Sequence, residues 1–151
     1  DTSSWTSAPR CRAALIGAED NDVALLQRSG KVLDELGVDH QSFQAHPLRD
    51  PDHLRKLVVD LQDGGCTVII CASGASTSLA ATVSSLFAGP VIGVPVASTP
   101  LAGVDALLSC IQTPAGIPVG TVAIGPMPPS TPKRSGLDRE SGEFMIMSAP
   151  E

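Results

Sequence analysis

The run 66–72, CTVIICA, is apolar at almost every position and rich in β-branched side chains. A strand with one wet face alternates polar and apolar residues, whereas a continuously apolar one is buried on both faces, as in a parallel sheet covered by helices. The flanking segments agree. RAALIG is a second short apolar run, and after the acidic turn AEDND apolar residues recur at Val23, Leu25, Leu26, Val32, Leu33 and Leu36 before Gly37, which spaces a helix with a glycine stop. Asn21 or Asp22 is its expected N-cap. VDHQSFQA holds a strand, and HPLRDPDHLRKLVVDLQDGG carries a Pro/Asp turn, a helix start at Asp50 with Pro51 in first position, and a Gly-Gly stop. SGASTSLAATVSSLFAG opens as a loop and is helical from Leu79; PVIGVPV, LAGVDALLSCIQ and VGTVAIG then read as strand, helix and strand. This alternation predicts an α/β fold with a central parallel sheet and helices on both faces. The loops 17–22, 45–51, 73–79 and 97–103 then meet at its carboxyl edge, where ligands bind in such sheets.

The 151 residues suffice for one domain with its own core. The expected division is a disordered lead over 1–12, the α/β domain over 13–125, and a Pro-rich tail over 126–151. In that tail only EFMIMS has strand character, suited to adding an edge strand or docking on a neighbouring subunit. With no Tyr, one Trp and three Phe the core must be aliphatic. A net charge of −6, without a basic stripe or aromatic platform, argues against nucleic-acid binding. Cys11, Cys66, Cys71 and Cys110 lack zinc spacing and sit in or beside apolar runs, so they read as small buried hydrophobes rather than metal ligands. No apolar segment reaches the length of a membrane span and DTSSWTSAPR lacks a signal pattern, so a soluble cytoplasmic protein is expected.

Several residues at the predicted edge can carry chemistry. Gly17 allows a sharp turn into the first helix, and Glu19, Asp20 and Asp22 make that turn acidic. The acids either cap the helix or recognise hydroxyls or a cation; they suit phosphate poorly. His46 follows a strand and precedes Pro47, a loop position fit for a general acid/base, although a plain surface histidine reads the same way. Arg49 either binds an anion or pairs with Asp50 or Asp52. His40 is expected before the second strand and His53 on the helix after it, both away from the edge. Ser73, Gly74, Ala75, Ser76, Thr77 and Ser78 offer hydroxyls and backbone N–H groups, a cradle for carboxylate or phosphate or simply a helix cap. There is no nucleophile elbow, P-loop or dinucleotide fingerprint.

The stretch GVPV followed by LAGVDALLSCIQTPAGIPVGTVAIG resembles the family of N5-carboxyaminoimidazole ribonucleotide mutases and aminoimidazole ribonucleotide carboxylases, the PurE family. The resemblance is carried by residues 93–96, by Gly103, Asp105, Leu107, Gln112, Pro114, Gly116, Ile117, Pro118, Val119 and Thr121, and by residues 123–125. It extends more weakly from Ala13 in the same element order. The resemblance implies a flavodoxin-like three-layer sandwich, a homo-octamer or other homo-oligomer with sites between subunits, and carboxyl transfer, carboxylation or decarboxylation on an aminoimidazole ribonucleotide or related heterocycle. It implies no metal and no organic cofactor, with carbon dioxide or bicarbonate as the one-carbon partner. Of the family's first loop, G-S-x-S-D, Gly17 and Asp22 match, whereas Ala18 and Asn21 stand for serines that contact phosphate and ribose. Of S-A-H-R-T-P, Ala45 and His46 match, Gln44 replaces serine and the arginine is displaced to Arg49. In the third loop Ser78, before Leu79, replaces the bacterial histidine, and SGASTSL is nearer the animal-type A-G-R-S-N-G-L; the tail replaces the family's C-terminal helix. On this basis His46 is the expected general acid/base. The substrate groups are expected to contact Gly17, Ala18, Asn21, Asp22, Ala45, Arg49, Ser73–Ser76, Ser78 and Leu79, with Asp22 on substrate hydroxyls. The altered loops suit a specialised relative, for instance in secondary metabolism, whose substrate lacks the phosphate. The alternative is a non-catalytic binding or assembly protein that keeps the scaffold and has lost the phosphate site.

Overall fold

Along the chain run β1 (Ala13–Gly17), α1 (Asp20–Glu35), β2 (His40–Gln44), α2 (Pro51–Asp63), β3 (Val68–Gly74), α3 (Leu79–Leu86), β4 (Val91–Val96), α4 (Val104–Ile111) and β5 (Gly120–Thr121). This is a computed structural model, and it describes residues 9–75 and 78–125. The strands form one sheet in the order β2-β1-β3-β4-β5, and every pairing is parallel. That order is the flavodoxin-like one, and its direction of winding reverses between β1 and β3.

The period of two along each strand sorts side chains into two clusters. Ala13 and Leu15 of β1, Ile70 and Ala72 of β3, and Val94 and Val96 of β4 pack with Leu26 and Leu33 of α1. Ala14, Ile16, Ile69, Cys71 and Val91 turn to the opposite face. There they meet Leu54, Leu57, Val58 and Leu61 of α2, Leu79, Ala80 and Val83 of α3, and Cys110 of α4. Among the described residues, α1 covers one face and the other three helices cover the second. All four cysteines are free and buried, and burial pushes the Cys110 thiol up to about 11 and Cys71 further still.

Several boundaries differ from those the sequence predicts. Helix α1 starts at Asp20 with Glu19 as N-cap, so Asn21 and Asp22 lie inside its first turn. Asp22, at the third helical position, turns back to accept the Glu19 N–H at 3.1 Å, which removes the need for a short polar cap. His40 is the first residue of β2, paired opposite Ala13, and not ahead of the strand. Strand β3 continues through Ser73 and Gly74 because β4 offers Pro95 and Val96 as partners, so these two residues are strand and not loop. The last strand is shorter than VGTVAIG: only Gly120 and Thr121 pair, and an isolated bridge joins Gly125 to Val96. Of the expected lead, residues 9–12 pack on the domain, with Cys11 buried and the Pro9 carbonyl lying against Gly64. Residues 1–8 and the tail lie outside the described residues.

Close helix-to-sheet packing rests on small residues, most clearly at Gly93. A Cβ there would stand 2.9 Å from Cys110 Sγ, 3.1 Å from Val119 Cγ1 and 3.3 Å from Ala80 Cβ. Gly93→Ala should therefore push α3 and α4 off β4 and destabilise the protein by about 1–3 kcal/mol, read from the urea midpoint. An unchanged midpoint would mean that the helices are not seated on that strand.

Candidate active site

The carboxyl ends of β1, β2 and β3 meet around the winding reversal. Gly17 ends β1, and the chain turns into α1 so tightly that a Cβ on Gly17 would lie 2.6 Å from both Val23 Cγ2 and the Val23 nitrogen. Backbone bonds knit the loops together: Ala18 N–H donates to the Ala72 carbonyl at 3.2 Å and Ala45 N–H to the Gly17 carbonyl at 3.0 Å. Ala18 and Ala45 are consequently buried beneath the rim.

His46 is the first residue past that last bond. Its Nδ1 accepts the backbone N–H groups of Leu48 at 3.1 Å and Arg49 at 3.3 Å. With Nδ1 acting as acceptor, the neutral ring carries its proton on Nε2. Nε2 lies 3.6 Å from Glu19 Oε1. Arg49 closes the group with a fork onto the same carboxylate, Nη2 to Oε1 at 2.7 Å and Nη1 to Oε2 at 3.0 Å. The partner of Arg49 is thus Glu19, rather than Asp50 or Asp52. Asp50 instead caps α2, accepting His53 N–H at 3.1 Å.

Asp22 sits beneath this pair with only 2% of its surface exposed. Burial raises its pKa to about 6; hydrogen bonds from the Glu19 and Gly74 backbone N–H groups pull the other way, and the Glu19 charge adds to the rise. Its carboxylate therefore bridges the end of β1 to the end of β3. Gly74 in turn lets the β4 loop approach, since a Cβ there would overlap Ser98. Beyond Gly74 the backbone is left-handed at Ala75 (φ 51°) and Ser78 (φ 57°), and again at Ala102 (φ 50°), positions that glycine would hold without strain. Thr99 Oγ1 lies 3.0 Å from Asp105, holding the β4 loop to the start of α4.

The fold brings together His46, Arg49, Asp22, Gly17 and Gly74 of the residues expected at the site. Asn21 is exposed on the first turn of α1, Ser73 is a buried strand residue, Leu79 belongs to the core, and Ser78 is exposed at the α3 N-terminus. Ser76 and Thr77 lie outside the described residues. Two participants escape a reading of the sequence. Glu19 stands out there only as one of three acids on a turn, although the E-x-x-D spacing is the clue to its capping role. Ser98 carries no signal at all. Among the described residues no group of His, Cys, Asp and Glu could hold a metal ion, and no helix is long and apolar enough to cross a membrane.

A doubly wound parallel sheet with a histidine, a buried carboxylate and small-residue loops at its switch point defines an α/β protein of the flavodoxin-like class. The chain belongs to the AIR carboxylase family, whose model matches residues 12–136. It is 40% identical over 113 residues to the N5-carboxyaminoimidazole ribonucleotide mutase of Haemophilus influenzae, covering 75% of this chain and 69% of that one. To the mutase of the same name from Thermotoga maritima it is 35% identical over 113 residues, covering 75% and 66%. The chain thus spans about two thirds of the length of these curated relatives. The crystal structure of a PurE2 variant from Treponema denticola superposes with a TM-score of 0.70 at 19% identity, over 77% of this chain and 73% of that one, a likeness of fold.

The Asp22 carboxyl gives a signed pH dependence. Its pKa of about 6 in the folded protein lies above the ordinary 3.8, so between those values the folded chain holds a proton that the unfolded chain has released. Stability from this group is full below about pH 4 and is lost as the pH rises through about 6, a change of up to about 3 kcal/mol. In Asp22→Asn that fall should disappear, as measured by urea unfolding at about pH 4 and 7. Parallel pH profiles in the two proteins would show that the carboxyl is not desolvated.

Proposed function

We propose that the chain moves a carboxyl group on or off the ring carbon of an aminoimidazole-type nucleotide or nucleoside, with His46 as the proton-transfer group. The observation that supports this is the anchoring of the His46 ring by two backbone donors on Nδ1, which leaves Nε2 as the nitrogen facing the crevice mouth, 3.6 Å from Glu19 Oε1. In the decarboxylating direction the bond from ring carbon to carboxylate breaks, carbon dioxide leaves, and the electron pair on the ring carbon takes the Nε2 proton of a His46 imidazolium, whose Nδ1 has taken up a proton in place of its backbone bonds, leaving the ring neutral with its proton on Nδ1. Carboxylation is the reverse: the ring carbon attacks carbon dioxide and gives its proton to Nε2 of the neutral ring in the tautomer protonated on Nδ1. The electron-rich ring supplies the carbanion character, so the residues have only to orient, desolvate and move one proton. Asp22 serves by bracing the β1 loop against β3, and the β3 and β4 loops close on the ring and carboxylate.

Assembly belongs to the same reading. Leu101, Val104, Leu108 and Ile111 are exposed at helical spacing along α4 and the turn before it. That stripe suits a second copy of the chain, in keeping with the sites between subunits that the family resemblance implies. The Glu19–Arg49 pair favours the non-catalytic reading to the extent that it closes a place for anions.

His46→Asn should lower turnover of the carboxylated heterocycle by about 100- to 10,000-fold while leaving ligand affinity within a few-fold. It should also abolish exchange of the ring-carbon proton with deuterated water, followed by proton NMR. Unchanged exchange in His46→Asn would remove the histidine from the mechanism, and binding without exchange in the wild type would favour the non-catalytic protein.

A further inference from the structure

The place where an anionic ligand group would bind is already filled from within. A helix N-terminus at the carboxyl edge normally offers unpaired backbone N–H groups to an anion. Around the start of α1 four donors are already used, Ala18 N–H on the Ala72 carbonyl, Glu19 N–H on Asp22, and Asp22 and Val23 N–H on the Glu19 carbonyl at 3.0 and 3.1 Å, which leaves the N–H groups of Asp20 and Asn21 in the acidic first turn. The cation of this corner is spent too, since both outer nitrogens of Arg49 are engaged by the two oxygens of Glu19 at 2.7 and 3.0 Å. A planar fork on a carboxylate is the geometry that a guanidinium uses for phosphate. The partners lie 30 residues apart, on the loops after β1 and β2, so the pair spans the crevice mouth rather than decorating one helix.

Charge points the same way. Glu19, Asp20 and Asp22 lie within one turn, and the residue that leads into them, Ala18, is buried and has no hydroxyl to donate. A phosphate dianion arriving here would have to displace a carboxylate from Arg49 and then remain beside three acidic side chains. A ligand ending in a hydroxyl or an ammonium group would meet acceptors and favourable charge.

We propose that Glu19 is the specificity-determining residue of this site, occupying with its own carboxylate the seat of a ligand phosphate, so that the site takes a heterocyclic riboside with a neutral or cationic 5′ group in preference to the 5′-phosphate. This rests on the carboxyl-transfer reading for the heterocycle, but the blocking role of Glu19 does not. Glu19 also fixes Arg49 close to His46, so the residue that excludes phosphate helps to shape the pocket beside the proton-transfer group.

The test is titration calorimetry of the wild type, Glu19→Gln, and Glu19→Gln combined with Arg49→Ala. The probes are aminoimidazole riboside, its 5′-phosphate, ribose 5-phosphate and inorganic phosphate, with circular dichroism to verify the fold of each protein. The wild type should prefer the riboside to its 5′-phosphate by about 10-fold or more. Glu19→Gln should tighten the 5′-phosphate by about 10- to 100-fold, the worth of one or two charge-assisted hydrogen bonds, and so erase or reverse the preference for the riboside. Adding Arg49→Ala should erase that gain. Tighter binding of the 5′-phosphate than of the riboside by the wild type, or no gain of phosphate affinity in Glu19→Gln, would overturn the proposal. If no heterocycle binds any of the three proteins, the carboxyl-transfer reading and the riboside assignment fall together. A gain of ribose 5-phosphate or inorganic phosphate in Glu19→Gln would still uphold Glu19 as the blocking group.

Discussion

Burying β1 and β3 on both faces, side by side and parallel, is the constraint from which the other features follow. Leu15, Ile16, Ile69 and Ala72 have no exposed surface, so neither strand can serve as an edge. The chain must leave β1 in one direction to lay down β2 and then cross back over β1 to lay down β3. Right-handed crossovers in opposite directions put their helices on opposite faces, which is where α1 and α2 are found. The loops after β1 and β3 consequently part from each other at the carboxyl edge. The gap between them is a product of the winding and needs no dedicated element to hold it open.

Asp22 occupies that gap, and its burial is a compromise between two physical tendencies. Removing a carboxylate from water is unfavourable, as the upward shift of its pKa records. Yet the same group satisfies backbone donors on both sides of the gap, which an apolar residue would leave unpaired. A hydrophobic plug would stabilise the core more but would release the two loops from each other. The crevice thus owes its definition to a residue that weakens the fold around neutral pH.

The layer order and the sheet direction were legible because they depend on coarse periodicity. Uninterrupted apolar runs in β1 and β3, helical recurrence in α1 and Pro51 at the start of α2 each carry a local signal strong enough to survive tertiary context. His46 and Asp22 were legible as members of the corner because β→α loops must fall on one edge. Boundaries were less so: the ends of β3 and β5 depend on which partner strand continues alongside, and that information lies tens of residues away. The pairing of Arg49 with Glu19 was hidden for the same reason. A surface arginine has acidic neighbours at Asp50 and Asp52, and only the parallel register of β1 with β2 brings Glu19 nearer. Ser98 has no sequence signature because its position is defined by the missing side chain of Gly74.

Left-handed backbone is distributed unevenly between the two ends of the sheet. Where helices return to strands, at Gly37, Gly65 and Gly116, the chain uses glycine and the turn is relaxed. Where strands lead into helices, glycine holds one such position, Gly103, but at Ala75, Ser78 and Ala102 the chain sets side chains into a conformation that costs about 1 kcal/mol or more apiece. Each of the three is one codon step or two from glycine, so the strain has an accessible escape that the sequence has not taken. The two ends of the sheet therefore answer to different pressures. One is free to drift toward whatever turns most easily, while the other holds a shape against its own conformational preference, and variation that improves heat resistance would be concentrated where it most disturbs the rim.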